Sequence, residues 1–229
     1  MSSSASPRAV VFDLDGLMFN TEELYQDVGA ELLRRRGCEF GADLLDAMMG
    51  RPNHVALQIM IDWHELSATV DDLSRETDEI FPGILDARLE PMPGLLDLLA
   101  ALERHGIPKA IATSSRRSFV DDVLSRFALA PRFDFLLTAE SVTQGKPHPE
   151  IYQKAAARFG VPTSEIGVLE DSANGCRAAV TAGARVVAVP GGHSLNHDFS
   201  GAEFVAQSLS DPRIYAMFGL TPPTPGRSS

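Results

Sequence analysis

The chain has 229 residues, of which 44% are hydrophobic and 22% charged, values ordinary for a globular protein and sufficient for one large domain or a main domain with an insert. A formal charge of -11 excludes nucleic acid or an anionic membrane as the main partner, since either would repel the molecule. Cys38 and Cys176 are too few for a disulfide framework or a zinc site, and no apolar run approaches the ~18 residues of a membrane helix.

Residues 1–8 lack the apolar middle of a signal peptide, so a disordered tail on a cytoplasmic protein is expected. Ala9-Val10-Val11-Phe12 then reads as a buried strand that delivers Asp13 and Asp15 to its C-terminal edge. From Thr21 the pattern becomes helical. Leu24, Val28, Leu32 and Leu33 share one helix face, Gly37 lies past its end, and Arg34-Arg35-Arg36 complements the helix dipole. Further helices are predicted from near Ala42, over Asn53–His64 with Val55, Ile59 and Trp63 at four-residue steps, and over Val70–Phe81. Pro82-Gly83 and Pro91-Met92-Pro93-Gly94 punctuate the return from this all-helical unit, residues 20–90.

From Gly94 strand and helix alternate, which implies βαβ units and a parallel sheet. Helices are predicted over Leu95–His105, Arg117–Phe127, Pro149–Phe159 and Asn174–Ala182, and strands over Lys109–Ala112, Phe135–Thr138, Ile166–Leu169 and Arg185–Val189. Phe204-Val205 adds a short edge strand, and the Pro-, Gly- and Ser-rich tail from Thr221 is expected to be disordered. The predicted fold is therefore α/β: a Rossmann-like open parallel sheet built from residues 1–19 and 91–229, with an inserted helical domain over 20–90.

In open α/β sheets ligands sit beyond the carboxyl ends of the strands. Those ends carry Asp13 and Asp15, Thr113-Ser114-Ser115, Lys146, and Glu170-Asp171. Each has a plain structural reading, as a helix cap, a turn or a solvated strand end. Together they supply carboxylates for a hard cation, hydroxyl and amide donors for an anion, and one fixed positive charge. Phosphoryl transfer is the chemistry these parts suit. Asp13 and Asp171, with the backbone oxygen of Asp15, are candidate magnesium ligands. Asp13 is the candidate nucleophile and Asp15 the candidate acid and base. Thr113, Ser114, Lys146 and the amides opening the next helix are candidates to meet the phosphate charge.

The segments Val11-Phe12-Asp13-Leu14-Asp15-Gly16, Ala112-Thr113-Ser114-Ser115, Gly145-Lys146-Pro147-His148-Pro149-Glu150 and Leu169-Glu170-Asp171-Ser172-Ala173-Asn174-Gly175 resemble, in order and spacing, the motifs of the haloacid dehalogenase superfamily. The matching branch carries a helical cap after the first strand. The resemblance implies Asp13 as nucleophile, Asp15 as acid and base, Thr113 and Lys146 as phosphate ligands, and Asp13, Asp15 and Asp171 around magnesium. It makes Glu170 a partner of Lys146 or of a metal-bound water. Gly50-Arg51-Pro52-Asn53 resembles the cap loop of this branch, where Arg51 contacts a substrate phosphate or sugar hydroxyl; the alternative is an exposed helix-end arginine. Asn20 departs from the aspartate usual at the cap entrance. The segments Asp15-Gly16-Leu17, Thr21-Glu22-Glu23-Leu24-Tyr25, Met49-Gly50, Glu79-Ile80-Phe81-Pro82 and His105-Gly106-Ile107-Pro108 most resemble pseudouridine and sugar phosphate phosphatases, with a β-phosphoglucomutase-type mutase and a noncatalytic phosphate-sensing module as the alternatives. A histidine that such mutases carry about ten positions past the acid/base aspartate is replaced here by Tyr25. The resemblance thus implies a magnesium-dependent phosphatase acting on a small phosphorylated metabolite, and a monomer is expected.

Overall fold

The computed structural model describes residues 6–48 and 53–222; Arg51 lies outside the described residues. The chain divides into two compact units, Met1–Phe19 with Pro91–Ser229, and Asn20–Glu90.

The first unit is built on a six-stranded sheet in the order β3-β2-β1-β4-β5-β6, with every neighbouring pair parallel. Its strands are β1 (Ala9–Phe12), β2 (Lys109–Ala112), β3 (Phe135–Leu137), β4 (Ile166–Glu170), β5 (Arg185–Ala188) and β6 (Phe204–Val205). β1 and β2 are buried along their whole length, which is why β1, and β2 after Lys109, read as continuous apolar runs instead of an alternation. Ala9, Val11, Ala110, Ala112, Ile166 and Val168 form one core layer with Ile151, Ala155, Cys176 and Ala179. Those last four come from α7 (Glu150–Phe159) and α8 (Ala173–Ala182).

Three more helices complete this unit: α5 (Leu95–Arg104), α6 (Arg117–Arg126) and α9 (Pro212–Met217). The sequence pattern did not predict α9. Its opening is nonetheless regular, with Asp211 accepting from the Arg213 amide at 2.9 Å and Pro212 at the first helical position. Phe12 pairs with Ile111 on one side and Leu169 on the other. The chain leaves β1 for β2 in one direction and reaches β4 in the other, so the switch point of the sheet lies between the ends of β1 and β4.

The second unit holds α1 (Thr21–Arg34), α2 (Ala42–Met48), α3 (Asn53–His64) and α4 (Val70–Arg88). Here the prediction needs correction, because α4 does not stop at Phe81 but runs through Pro82 and Gly83 to Arg88. Proline in a helix interior removes a backbone donor and crowds the preceding turn. Pro82 is exposed, however, while Ile80, Phe81 and Leu85 are buried, so the apolar stripe on both sides of the proline carries the helix across it. Thr69 opens α4 with a capping box, its hydroxyl accepting from the Asp72 amide at 3.1 Å. Tyr25 of α1 packs on Phe81 with ring centroids 4.6 Å apart. Asn20 ties the start of this unit to its end: its side-chain amide donates to Arg88 O at 3.1 Å and its oxygen accepts from the Glu90 amide at 2.8 Å.

Candidate active site

Strand pairing continues one residue past β1, because the Asp13 amide donates to Leu169 O at 3.0 Å. This holds Asp13 at the switch point, where the residue is only 6% exposed. Lys146 arrives from the loop after β3, and its Nζ donates to Asp13 Oδ1 at 2.5 Å, Glu170 Oε1 at 2.6 Å and Ala112 O at 2.9 Å. Burial pushes the Asp13 carboxyl up to about 8, against the opposing pull of the Lys146 ammonium. Burial also works against the Lys146 charge, but the adjoining Asp13 and Glu170 carboxylates outweigh it and hold the lysine well above its usual range.

Glu170 is fully buried at the end of β4 and its two oxygens are divided between partners. Oε1 accepts from Lys146 and from the Tyr152 hydroxyl at 2.7 Å; Oε2 accepts from the Ser172 amide at 3.2 Å and the Ser172 hydroxyl at 3.0 Å. A buried charge is tolerable only when paired and hydrogen-bonded in this way. Burial and the neighbouring Glu170 charge keep the Tyr152 phenol protonated, well above its usual range. Ser172 also starts α8, its hydroxyl accepting from the Gly175 amide at 3.1 Å.

Asp15 stands three residues beyond β1, where the chain turns through Gly16 at φ +73°, a left-handed conformation that favours glycine. Its Oδ2 accepts from the Ser115 hydroxyl at 2.5 Å and the Thr113 hydroxyl at 3.2 Å. Thr113 is held in turn by its amide on Leu137 O at 3.0 Å, which extends the pairing of β2 with β3. Asp171 follows β4 and is 3% exposed. Among the described residues no three His, Cys, Asp or Glu side chains gather into a metal-binding group.

The sequence-predicted residues thus form two contact sets, Asp13 with Lys146 and Glu170, and Asp15 with Thr113. Ser114 is exposed. The amide of Arg117 at the start of α6 is taken by the Glu140 carboxylate, 3.2 Å from each oxygen, so this amide is not open to an anion as the sequence suggested. Arg117 itself pairs with Asp121 at 2.8 Å on the surface, and His148 Nδ1 accepts from the Glu150 amide at 3.3 Å as a turn residue. Sequence reasoning missed Ser115 as the partner of Asp15, and Tyr152, Ser172 and Gly175 around Glu170. Tyr152 carried a signal: it is a phenol on the apolar face of α7 beside Ile151, Ala155 and Ala156, where a buried hydroxyl requires a partner.

The haloacid dehalogenase-like hydrolase family matches residues 10–189. The chain is 31% identical over 205 residues to a phosphorylated carbohydrates phosphatase of Thermotoga maritima, covering 89% of this chain and 94% of that protein. It is 33% identical to a probable pseudouridine-5'-phosphatase of Drosophila melanogaster, covering 88% and 89%. Of a bifunctional riboflavin kinase/FMN phosphatase of Arabidopsis thaliana, 31% identical over 93% of this chain, it spans only 56%. The crystal structure of a mutant of CbbY from Rhodobacter sphaeroides in complex with xylulose-(1,5)bisphosphate superposes with a TM-score of 0.76 at 26% identity, covering 90% of this chain and 96% of that one.

Proposed function

The chain belongs to the haloacid dehalogenase-like hydrolases, and from that premise we propose that it is a magnesium-dependent phosphatase that hydrolyses a small sugar-phosphate-like phosphomonoester through an aspartyl-phosphate. The observation that carries the reading is the buried contact of Lys146 Nζ with Asp13 Oδ1 at 2.5 Å. It joins a nucleophile to a cation where phosphate charge has to be met.

An oxygen of Asp13 attacks phosphorus as the bond to the substrate alcohol breaks, and Asp15 gives that alcohol its proton. Water then loses a proton to Asp15 and attacks the aspartyl-phosphate, which releases inorganic phosphate and restores both carboxyl groups. Lys146 and the Thr113 hydroxyl neutralise charge on the transferring group, with Ser114 beside them at the open edge. Glu170 keeps the ammonium charged and in place.

Magnesium fits the donors here. Asp13 and Asp171 follow adjacent strands and would hold it, the main-chain oxygen of Asp15 would be a third hard ligand, and this ion keeps several waters and needs no closed protein cage. When bound it supplies positive charge to the phosphate oxygens. The helical unit 20–90 is the proposed cap, and Arg51 is its proposed substrate contact. We take the protein to act as a cytoplasmic monomer; among its described residues no helix is long and apolar enough to cross a membrane. A phosphomutase is not favoured, since the Thermotoga maritima and Drosophila melanogaster relatives carry phosphatase names.

The test is release of inorganic phosphate from p-nitrophenyl phosphate with magnesium and with excess chelator, followed by a panel of phosphorylated sugars. Turnover that needs magnesium and selects sugar phosphates supports the reading; no release from any ester overturns it.

A further inference from the structure

Lys146 holds its Nζ 2.5 Å from Asp13 Oδ1 and 2.6 Å from Glu170 Oε1, yet it belongs to the connection between β3 and α7, residues 138–149. A segment of this kind has many conformations open to it, and its contacts must exclude the others. Those contacts come from α7. Glu150, the first residue of that helix, turns both carboxylate oxygens back onto the loop: Oε1 accepts from the Thr143 amide at 3.0 Å and Oε2 from the Gln144 amide at 2.9 Å. Lys154, one helical turn further on, pairs with Glu150 Oε1 at 2.6 Å and donates to Ser141 O at 2.8 Å. The Lys154 ammonium and the two amides hold the Glu150 carboxyl down to about 2, so it is a charged acceptor throughout the neutral range. Directly after Gln144 the chain turns, with the His148 amide donating to Gly145 O at 3.0 Å, and Lys146 stands inside this turn.

We propose that Glu150 is a positioning residue for Lys146: its carboxylate closes the segment 143–150 on itself and so sets where the ammonium reaches. This rests on the assignment of Lys146 as the cation that meets the phosphate. Glu150 acts through the backbone, because its two bonds fix the residues that lead into the turn. A shift of about 1 Å in that turn carries Nζ away from Asp13 and Glu170, and misplacement on this scale is enough to cost an order of magnitude or more in rate. A role confined to opening α7 would require neither bond to reach a loop amide ahead of the lysine.

The experiment measures kcat/KM for p-nitrophenyl phosphate and the competitive Ki of inorganic phosphate in magnesium-containing buffer, well below the melting temperature of each variant. Glu150→Ala loses about tenfold in kcat/KM and weakens phosphate inhibition by a similar factor, since one displaced charge serves both. Glu150→Gln, which keeps an oxygen for one of the two amides, recovers to a loss of about threefold. In a Lys146→Met background the further effect of Glu150→Ala on kcat/KM falls to about twofold or less, as expected of two residues acting through one charge. Wild-type kcat/KM and Ki in a folded Glu150→Ala variant overturn the proposal, and so does a tenfold loss that recurs unchanged without Lys146. Should Glu150→Ala fail to fold, Glu150→Gln carries the test, and unchanged constants in that variant overturn the proposal. Absence of turnover by the wild-type protein on this and every other ester would instead refute the phosphatase assignment.

Discussion

Gly175 and Glu170 are in direct contact: a Cβ on Gly175 would stand 1.7 Å from Glu170 Oε1. No side chain fits there unless Glu170 moves, and Glu170 cannot move without releasing Lys146, Tyr152 and Ser172. Gly175→Ala is expected to lower stability by about 1–3 kcal/mol from overpacking and to reduce phosphate release by at least about tenfold as Lys146 is displaced. Thermal melting together with a p-nitrophenyl phosphate assay checks both; normal activity in a folded variant would mean that Glu170 does not hold the lysine for chemistry.

Asp13 gives a pH dependence whose sign can be worked out. Its carboxyl titrates near 8 in the folded chain against an ordinary value of 3.8, so between these values the folded state binds the extra proton. Its contribution to stability is complete below about pH 4 and is lost as pH rises through about 8. Asp13→Asn, which does not titrate, should abolish turnover, keep the fold, and gain on the wild-type protein over this window. The relative slope is at most ~1.4 kcal/mol per pH unit. Denaturant midpoints measured in chelator from pH 4 to 8 supply the test, and parallel curves would count against the burial argument.

Asn20 uses both ends of its amide, donating to Arg88 O and accepting from Glu90 N. An aspartate can only accept when ionised and would face the carbonyl with a charge. Asn20→Asp should therefore destabilise the chain by roughly 1 kcal/mol, while Asn20→Ser, with a shorter side chain that still donates, should lose less. Urea midpoints of the two variants decide the order.

Calcium is expected to inhibit. It accepts more ligands at looser geometry than magnesium, which lets both oxygens of Asp13 be taken up and leaves neither for attack. Titrating calcium into a magnesium-supported assay should remove activity, and recovery with added magnesium would show that the two compete.

With β-glucose 1-phosphate and a trace of the bisphosphate, free phosphate should appear without accumulation of glucose 6-phosphate. Tyr25 lies against Phe81 in the helical unit, and a phenol with a pKa of ~10 does not exchange protons at neutral pH as an imidazole does. Efficient isomerisation with little phosphate release would contradict this expectation.

The sheet and the strand-end acids were legible because both depend on local pattern. β2 runs from Lys109 to Ala112 as the apolar run implied, and Asp13, Lys146 and Glu170 follow strands whose ends parallel topology must bring together. What stayed hidden depends on three-dimensional neighbours. The spacing of Ser115 gave no reason to choose Asp15 as its partner, and nothing about Gly175 in isolation shows that a carboxylate fills the space where its side chain would be. α4 was shortened for a related cause, since the penalty at Pro82 is local while the burial of Ile80, Phe81 and Leu85 that overrides it is tertiary. The sequence pattern gives no sign of α9 although Asp211-Pro212 is a good helix opening, because a six-residue segment has too few apolar positions to show a period.

The position of β1 has a kinetic consequence. Phe12 must find Ile111 and Leu169, partners synthesised long after it, whereas the helices of residues 20–90 close on near neighbours. Pairings of such sequence separation carry a large loop-closure entropy and slow the search for the native state. During synthesis the first strand therefore waits, its apolar residues unsatisfied, until the chain has emerged past β4. Asp13 and Lys146 gain Glu170 as their buried neighbour only at that point, so a ribosome-bound chain arrested before residue 166 carries both residues without the carboxylate that completes their contact set.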